Sequence, residues 1–212
     1  MSTQIRVLHV LSAMGRGGAE TMVMNLYRNI DRNKAQFDFI VHTEKVRPYD
    51  KEIESLGGRI FRVPRYQGSN HLQYKEAWKR FFEDNPEYRI IHGHVRSTAS
   101  IYLRIAKNFG LVTIAHSHNT SSGKGVAAFA KNILQLPIRN VADHLFACSE
   151  YAGEWLFGKK VKKRDNYYII KNAIDTKQFI FNKDIRLIKR KEFEIEDKFI
   201  IGHVGRFHKQ KN

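Results

Sequence analysis

Short apolar runs alternate along the chain with segments whose apolar residues recur every three or four positions. The runs Ile5–Leu11, Phe37–His42, Arg59–Val63, Arg89–His94, Leu111–His116, His144–Cys148, Tyr167–Ile170 and Phe199–Val204 read as strands. Most are apolar on both faces, as strands buried between two helix layers must be. The intervening segments read as helices. Glu20–Ile30 puts Met22, Val23, Leu26 and Ile30 on one face, and Leu72–Glu83 stops short of Pro86. Ser97–Phe109 runs up to Gly110, a natural C-cap. Val126–Val141 is amphipathic, and Pro137 predicts a kink or break in it. Ser149 is a good N-cap for a helix ending at Gly158.

Strand–helix alternation predicts an α/β fold: a Rossmann-like parallel sheet of six or seven strands, with helices on both faces and right-handed crossovers. Residues 1–175 are expected to form this lobe. The highly charged stretch at 176–197 then reads as a connection, and 198–212 as the truncated start of a second lobe, because its apolar strand has no following helix to cover it. No internal repeat or low-complexity linker interrupts the pattern.

Composition narrows the setting. A chain of 212 residues has room for one domain and the start of another. No run approaches the roughly 18 apolar residues of a membrane span, and the N-terminal run lacks a signal peptide's charged flank and cleavage site. The single cysteine, Cys148, excludes an internal disulfide and a multi-cysteine metal site. A cytoplasmic location is expected. Charge adds something less ordinary: 37 Lys and Arg against 21 acids, a net of +16. The excess peaks at 159–164 and 186–191. It reads either as a solvated basic surface or as adhesion to an anionic membrane face.

In open parallel sheets, ligands bind beyond the C-terminal strand ends. Four segments there carry candidate chemistry. Gly15, Gly17 and Gly18 lie between the first strand and the first helix, where small residues and free N–H groups suit a phosphate. Glu20 stands where a dinucleotide fingerprint needs its third glycine, which argues against an oxidoreductase. His92 and His94 end one strand, and His116, His118 and Asn119 end another. Such histidines can donate to a hydroxyl or move a proton near neutral pH. His92, on an apolar strand, reads as a core residue. Two H-x-H pairs also admit a metal, but no carboxylate or cysteine beside them completes a ligand set, so none is expected. Finally, Arg206 and Lys211 follow the last apolar run and can clamp a diphosphate.

Taken together and in order, these segments resemble glycosyltransferase family 4, the retaining enzymes of the two-lobed GT-B fold. Gly17-Gly18-Ala19-Glu20 is similar to the family's glycine-rich loop. Asn172-Ala173-Ile174-Asp175 with Phe179 resembles its entry to the inter-lobe linker, Ala173 replacing a glycine. Gly205, Arg206 and Lys211 resemble its phosphate clamp.

The resemblance implies transfer of a sugar from a nucleotide diphosphate sugar to an acceptor hydroxyl with retention, without a metal or other cofactor. It implies that His116 contacts the transferred sugar from a cleft shared with Gly17 and Gly18. Those glycines, Arg206 and Lys211 would meet the donor phosphates, and His94, His118 and Asn119 would lie on the acceptor side. It also implies a saccharide or lipid-linked acceptor, a place in capsule, exopolysaccharide or other envelope glycan synthesis, and a seat at the inner face of the cell membrane. The family's paired donor-gripping glutamates are absent, so these 212 residues alone are expected to be inactive. The rival reading is a non-catalytic basic module binding nucleotides or nucleic acid; no recognised motif supports it, and nucleic acid is not an expected partner.

Overall fold

The structure is a computed structural model that describes residues 4–202 apart from 122 and 124. The chain divides into two compact units, one up to Ile174 and one from Asp175.

The first unit is built on seven strands: β1 (Ile5–Leu11), β2 (Ala35–Val41), β3 (Ile60–Arg62), β4 (Ile90–Gly93), β5 (Val112–Ser117), β6 (His144–Ala147) and β7 (Tyr167–Ile169). They form one sheet in the order β3-β2-β1-β4-β5-β6-β7, every neighbouring pair parallel. The order runs outward from β1 in one direction and resumes at β4 in the other, so the topological switch point lies between β1 and β4.

Alternation along each strand sorts residues to two faces. Leu8, Val10, Ile40, Ile91 and Leu145 point to a core completed by α3 (His71–Asp84), α4 (Ala99–Asn108), α6 (Ile138–Val141) and α7 (Glu150–Phe157). Trp78, Tyr74, Phe82 and Tyr102 lie at its centre, with the rings of Trp78 and Tyr102 stacked 5.0 Å apart. On the opposite face Leu11, Phe37, Phe39 and Val41 pack under α1 (Gly18–Asn29) and α2 (Asp50–Ser55) through Met22, Val23, Tyr27 and Ile53.

The N-terminal end of the first face is closed by a buried carboxylate. Asp38 is 0% exposed, yet Arg6 donates to both its oxygens at 2.6 Å, the Tyr88 hydroxyl at 2.6 Å and the Arg59 backbone N–H at 2.7 Å. Burial pushes the Asp38 pKa up, but these donors outweigh it and hold the group below its ordinary value.

The helix signals acted as their chemistry requires. Pro137 breaks the long amphipathic segment into α5 (Val126–Gln135) and α6. Ser149 accepts a hydrogen bond from the Ala152 N–H at 3.2 Å and caps α7. Two helices were not anticipated: α2, only six residues long, and α8 (Lys183–Glu192), inside the charged stretch read as a connection. Basic residues are good helix formers, and Asn182 caps α8 by accepting from the Ile185 N–H at 2.9 Å. The strand expected at Phe199–Val204 is not formed over its described part, Phe199–Gly202. The remainder, with Arg206 and Lys211, lies outside the described residues.

Candidate functional site

The crevice at the switch point is bounded by the ends of β1 and β4, and the end of β5 lies next to it. Beyond β1, Gly17 occupies the N-cap of α1 with no side-chain cap. Neither Gly15, Gly17 nor Gly18 has a positive φ, so the turn itself does not demand glycine. A Cβ on Gly15 or Gly18 would meet nothing within 4 Å, whereas one on Gly17 would run into the Glu20 carboxylate. Gly15 and Gly18 therefore leave open backbone beside the N–H groups of a twelve-residue helix, a suitable approach for an anion. The space before Gly17 is taken by the Glu20 carboxylate.

Beyond β4 and β5 stand the histidines. His92 lies within β4 and His116 within β5, while His94 and His118 follow directly after each strand. Parallel pairing sets His9 beside His92, and the next step up the sheet brings His94 beside His116. His9 Nδ1 lies 3.1 Å from His94 Nε2, His92 Nε2 lies 3.1 Å from His116 Nδ1, and His94 Nδ1 lies 2.8 Å from His118 Nε2. Burial lowers the pKa of His9 to about 3, of His116 to about 2 and of His118 to about 4. Burial, reinforced by the neighbouring imidazoles, puts His92 and His94 well below the ordinary value. All five rings are neutral at pH 7.

This geometry corrects one expectation. His116 sits at the C-terminal end of β5, but it is 2% exposed and does not open onto the crevice with Gly17 and Gly18. The β5 alternation turns it into the sheet face, against His92 and under His118, whose ring centroid is 4.0 Å away. The groups that reach the edge are His118 and His94, both part-buried, and the exposed Asn119. His92 is hydrogen-bonded within the same set, the satisfied interior histidine that its apolar strand implies.

A cavity of about 910 Å³ adjoins this edge, lined by loops after β1, β2, β3 and β4 and by α5. Ser12, His42, Arg47, Arg65, Thr98 and Lys131 contribute its polar groups. Sequence reading missed His42, Arg47 and Arg65 because they follow strands without any recognisable string. Their position after strand ends was the available signal. The aromatic side chains of Trp78, Tyr27, Tyr74, Tyr88 and Tyr102 are all buried.

A doubly wound parallel sheet with its open crevice at the β1–β4 switch is the Rossmann-like lobe of GT-B glycosyltransferases. Residues 16–178 match Glycosyltransferase Family 4, and the chain belongs to that family. It is 41% identical over 218 residues to a protein of Bacillus subtilis (strain 168), EpsF, provisionally named a glycosyltransferase; the match covers 100% of this chain and 56% of EpsF. The chain thus spans about half the length of this relative. Among solved structures, Anabaena HepE in complex with UDP-glucose superposes with a TM-score of 0.72 at 14% identity, over 97% of this chain and 54% of HepE. A glycosyltransferase from Rickettsia africae gives a TM-score of 0.63 at 12% identity, over 91% of this chain and 50% of the other. At such identities the likeness shows a shared fold. No helix among the described residues is long and apolar enough to cross a membrane.

Proposed function

We propose that the protein containing this chain transfers a sugar, with retained configuration, from a nucleotide diphosphate sugar to an acceptor hydroxyl in the assembly of a surface polysaccharide. The observation that carries this reading is the crevice itself: open backbone at Gly15 and Gly18 on one side of the switch point, with His94 and His118 on the other. The membership in Glycosyltransferase Family 4 and the nucleotide sugar named for HepE support the same assignment. In this reading the α1 N–H groups, with Gly17 and Gly18, face the donor diphosphate. Electrostatic stabilisation of the leaving diphosphate then takes the place of a catalytic metal. His118 meets the transferred sugar and His116 holds its ring from below. His94 and Asn119 stand towards the acceptor, for which the neighbouring cavity, with Arg47, Arg65 and Lys131, offers a cationic lining.

The acceptor in this proposal is saccharide or lipid-linked, reached at the cytoplasmic face of an anionic membrane. Support comes from α5, where Val126, Phe129, Ile133 and Leu136 are 86, 66, 51 and 57% exposed along one helical stripe beside the cavity. The basic cluster at 159–164 is exposed as well, but Lys162 already pairs with Glu150 at 2.7 Å and Glu154 at 2.9 Å. Lys160 and Lys163 are the better candidates for lipid headgroups. Exchanging Phe129 and Ile133 for Ser should weaken binding to anionic vesicles more than Lys160→Gln with Lys163→Gln does at high salt, where charge is screened. The reverse order would assign any contact to charge alone.

The deciding experiment offers nucleotide sugars, UDP-glucose first, to the protein containing this chain, and reads the anomeric configuration of the product by NMR. Transfer with retention is expected there, and none from the 212 residues alone. Hydrolysis without transfer, or an inverted product, would reject the reading.

A further inference from the structure

Five histidines stack up one sheet face, and the fold rather than the local sequence brings them together. Ring centroids lie 5.1 Å apart from His9 to His92, 4.3 Å from His92 to His94 and 4.0 Å from His116 to His118. One ring nitrogen from each of His94, His116 and His118 lies within 4.8 Å of one from each of the other two. His116 Nε2, on a residue only 2% exposed, and His118 Nδ1 are buried without a hydrogen-bond partner. We propose that His94, His116 and His118 form a binding site for one divalent transition-metal ion of the zinc type, with its remaining coordination position open at the sheet edge.

Three features support the assignment. First, the ligand chemistry is right: three imidazoles with an open fourth position make up a recognised zinc set, and an imidazole binds metal only in its neutral form. Second, the spacing is close. Two tetrahedral zinc ligands at about 2.0–2.1 Å from the ion stand about 3.3 Å apart. His94 Nδ1 and His118 Nε2, now at 2.8 Å, need to part by a fraction of an ångström to admit one.

Third, the other two histidines orient the set. His9 engages His94 through Nε2, and His92 engages His116 through Nδ1. That pattern leaves His94 Nδ1 and His116 Nε2 for the ion, and fixes each ring as outer partners of metal-bound histidines do. The hydrogen bond between His94 and His118 is exchanged for two metal bonds. His94 and His118 are part-buried at the end of the strands, which gives the ion a way in.

This inference shares His94, His116 and His118 with the sugar-transfer reading, but its test does not measure transfer, so the two can fail separately. The chain is stripped with a chelator, dialysed, and titrated with Zn²⁺ by calorimetry and with Co²⁺ by visible absorption. Saturation at one ion per chain is expected, with the intense d–d bands of a four-coordinate cobalt site. His94→Ala and His118→Ala should each weaken binding by more than about tenfold, and His92→Leu by about ten- to a hundredfold through loss of the outer partner. His144→Ala, on the same face but outside the set, should bind as the wild type does. Circular dichroism melts of each apo variant establish that it is folded. No saturable binding, or binding that His94→Ala and His118→Ala both leave unchanged in folded protein, would overturn the proposal.

Discussion

The two faces of the same sheet are built from alternate residues of the same strands, and they do different work. One face carries Leu8, Val10, Ile91, Ala115 and Leu145 and is sealed by four helices. The other begins as an apolar core under α1 and α2, then changes at His9 into five neutral imidazoles, and beyond them Val112 and Tyr168 are 42 and 45% exposed. The first face supplies stability. The second spends burial on polar rings that contribute little to it, and those rings end at the crevice where a ligand can approach. A parallel sheet makes this division economical: one strand can hold a core with its odd residues and chemistry with its even ones.

The largest effects should come from the helix-sealed face. Trp78, fully buried among aromatic rings, should destabilise the chain by about 3–5 kcal/mol when replaced by Ala. A loss under about 1 kcal/mol in denaturant titration would mean that this core is not the stabilising one.

Asp38 comes next. Removing this carboxylate as Asp38→Ala leaves Arg6 and Arg59 without their buried partner and should cost about 3 kcal/mol. Its pH signature has a definite sign. The folded-state pKa is lowered, so the stabilisation is present above the unfolded value of about 3.9 and is lost as pH falls through the lower folded value. Wild type should therefore lose stability below about pH 4 more steeply than Asp38→Ala. Parallel acid limbs would contradict the clamp.

The smallest effect is expected on the histidine face. Replacing His92 and His116 together by Leu removes both partners of one hydrogen bond and should change stability by no more than about 1 kcal/mol. Metal binding should nevertheless disappear in that variant. A large loss of stability would make the histidine face structural after all.

How legible this was from sequence differs between the faces in the same way. Seven strands and the Pro137 break were readable, because apolar runs and proline act locally. The glycine turn was readable from its place between a strand and a helix. The histidine set was not: His9 lies 83 residues from His92, and each H-x-H pair examined by itself lacks a third ligand. Only parallel pairing of β1 with β4 and β4 with β5 supplies it. The burial of His116 follows from strand parity, which a one-residue uncertainty at a strand end reverses. The helix α8 was hidden by its charge, although Ile185 and Ile188 lie on one side of it.

The most direct measurement of the whole account is the turnover, with UDP-glucose, of the protein containing this chain, comparing wild type with His118→Ala. The account predicts that His118→Ala loses at least about tenfold in kcat, roughly what one lost hydrogen bond to the reacting sugar removes, while its melting temperature stays that of wild type. Wild-type turnover in folded His118→Ala would contradict it, and would leave the histidine edge with no part in the reaction.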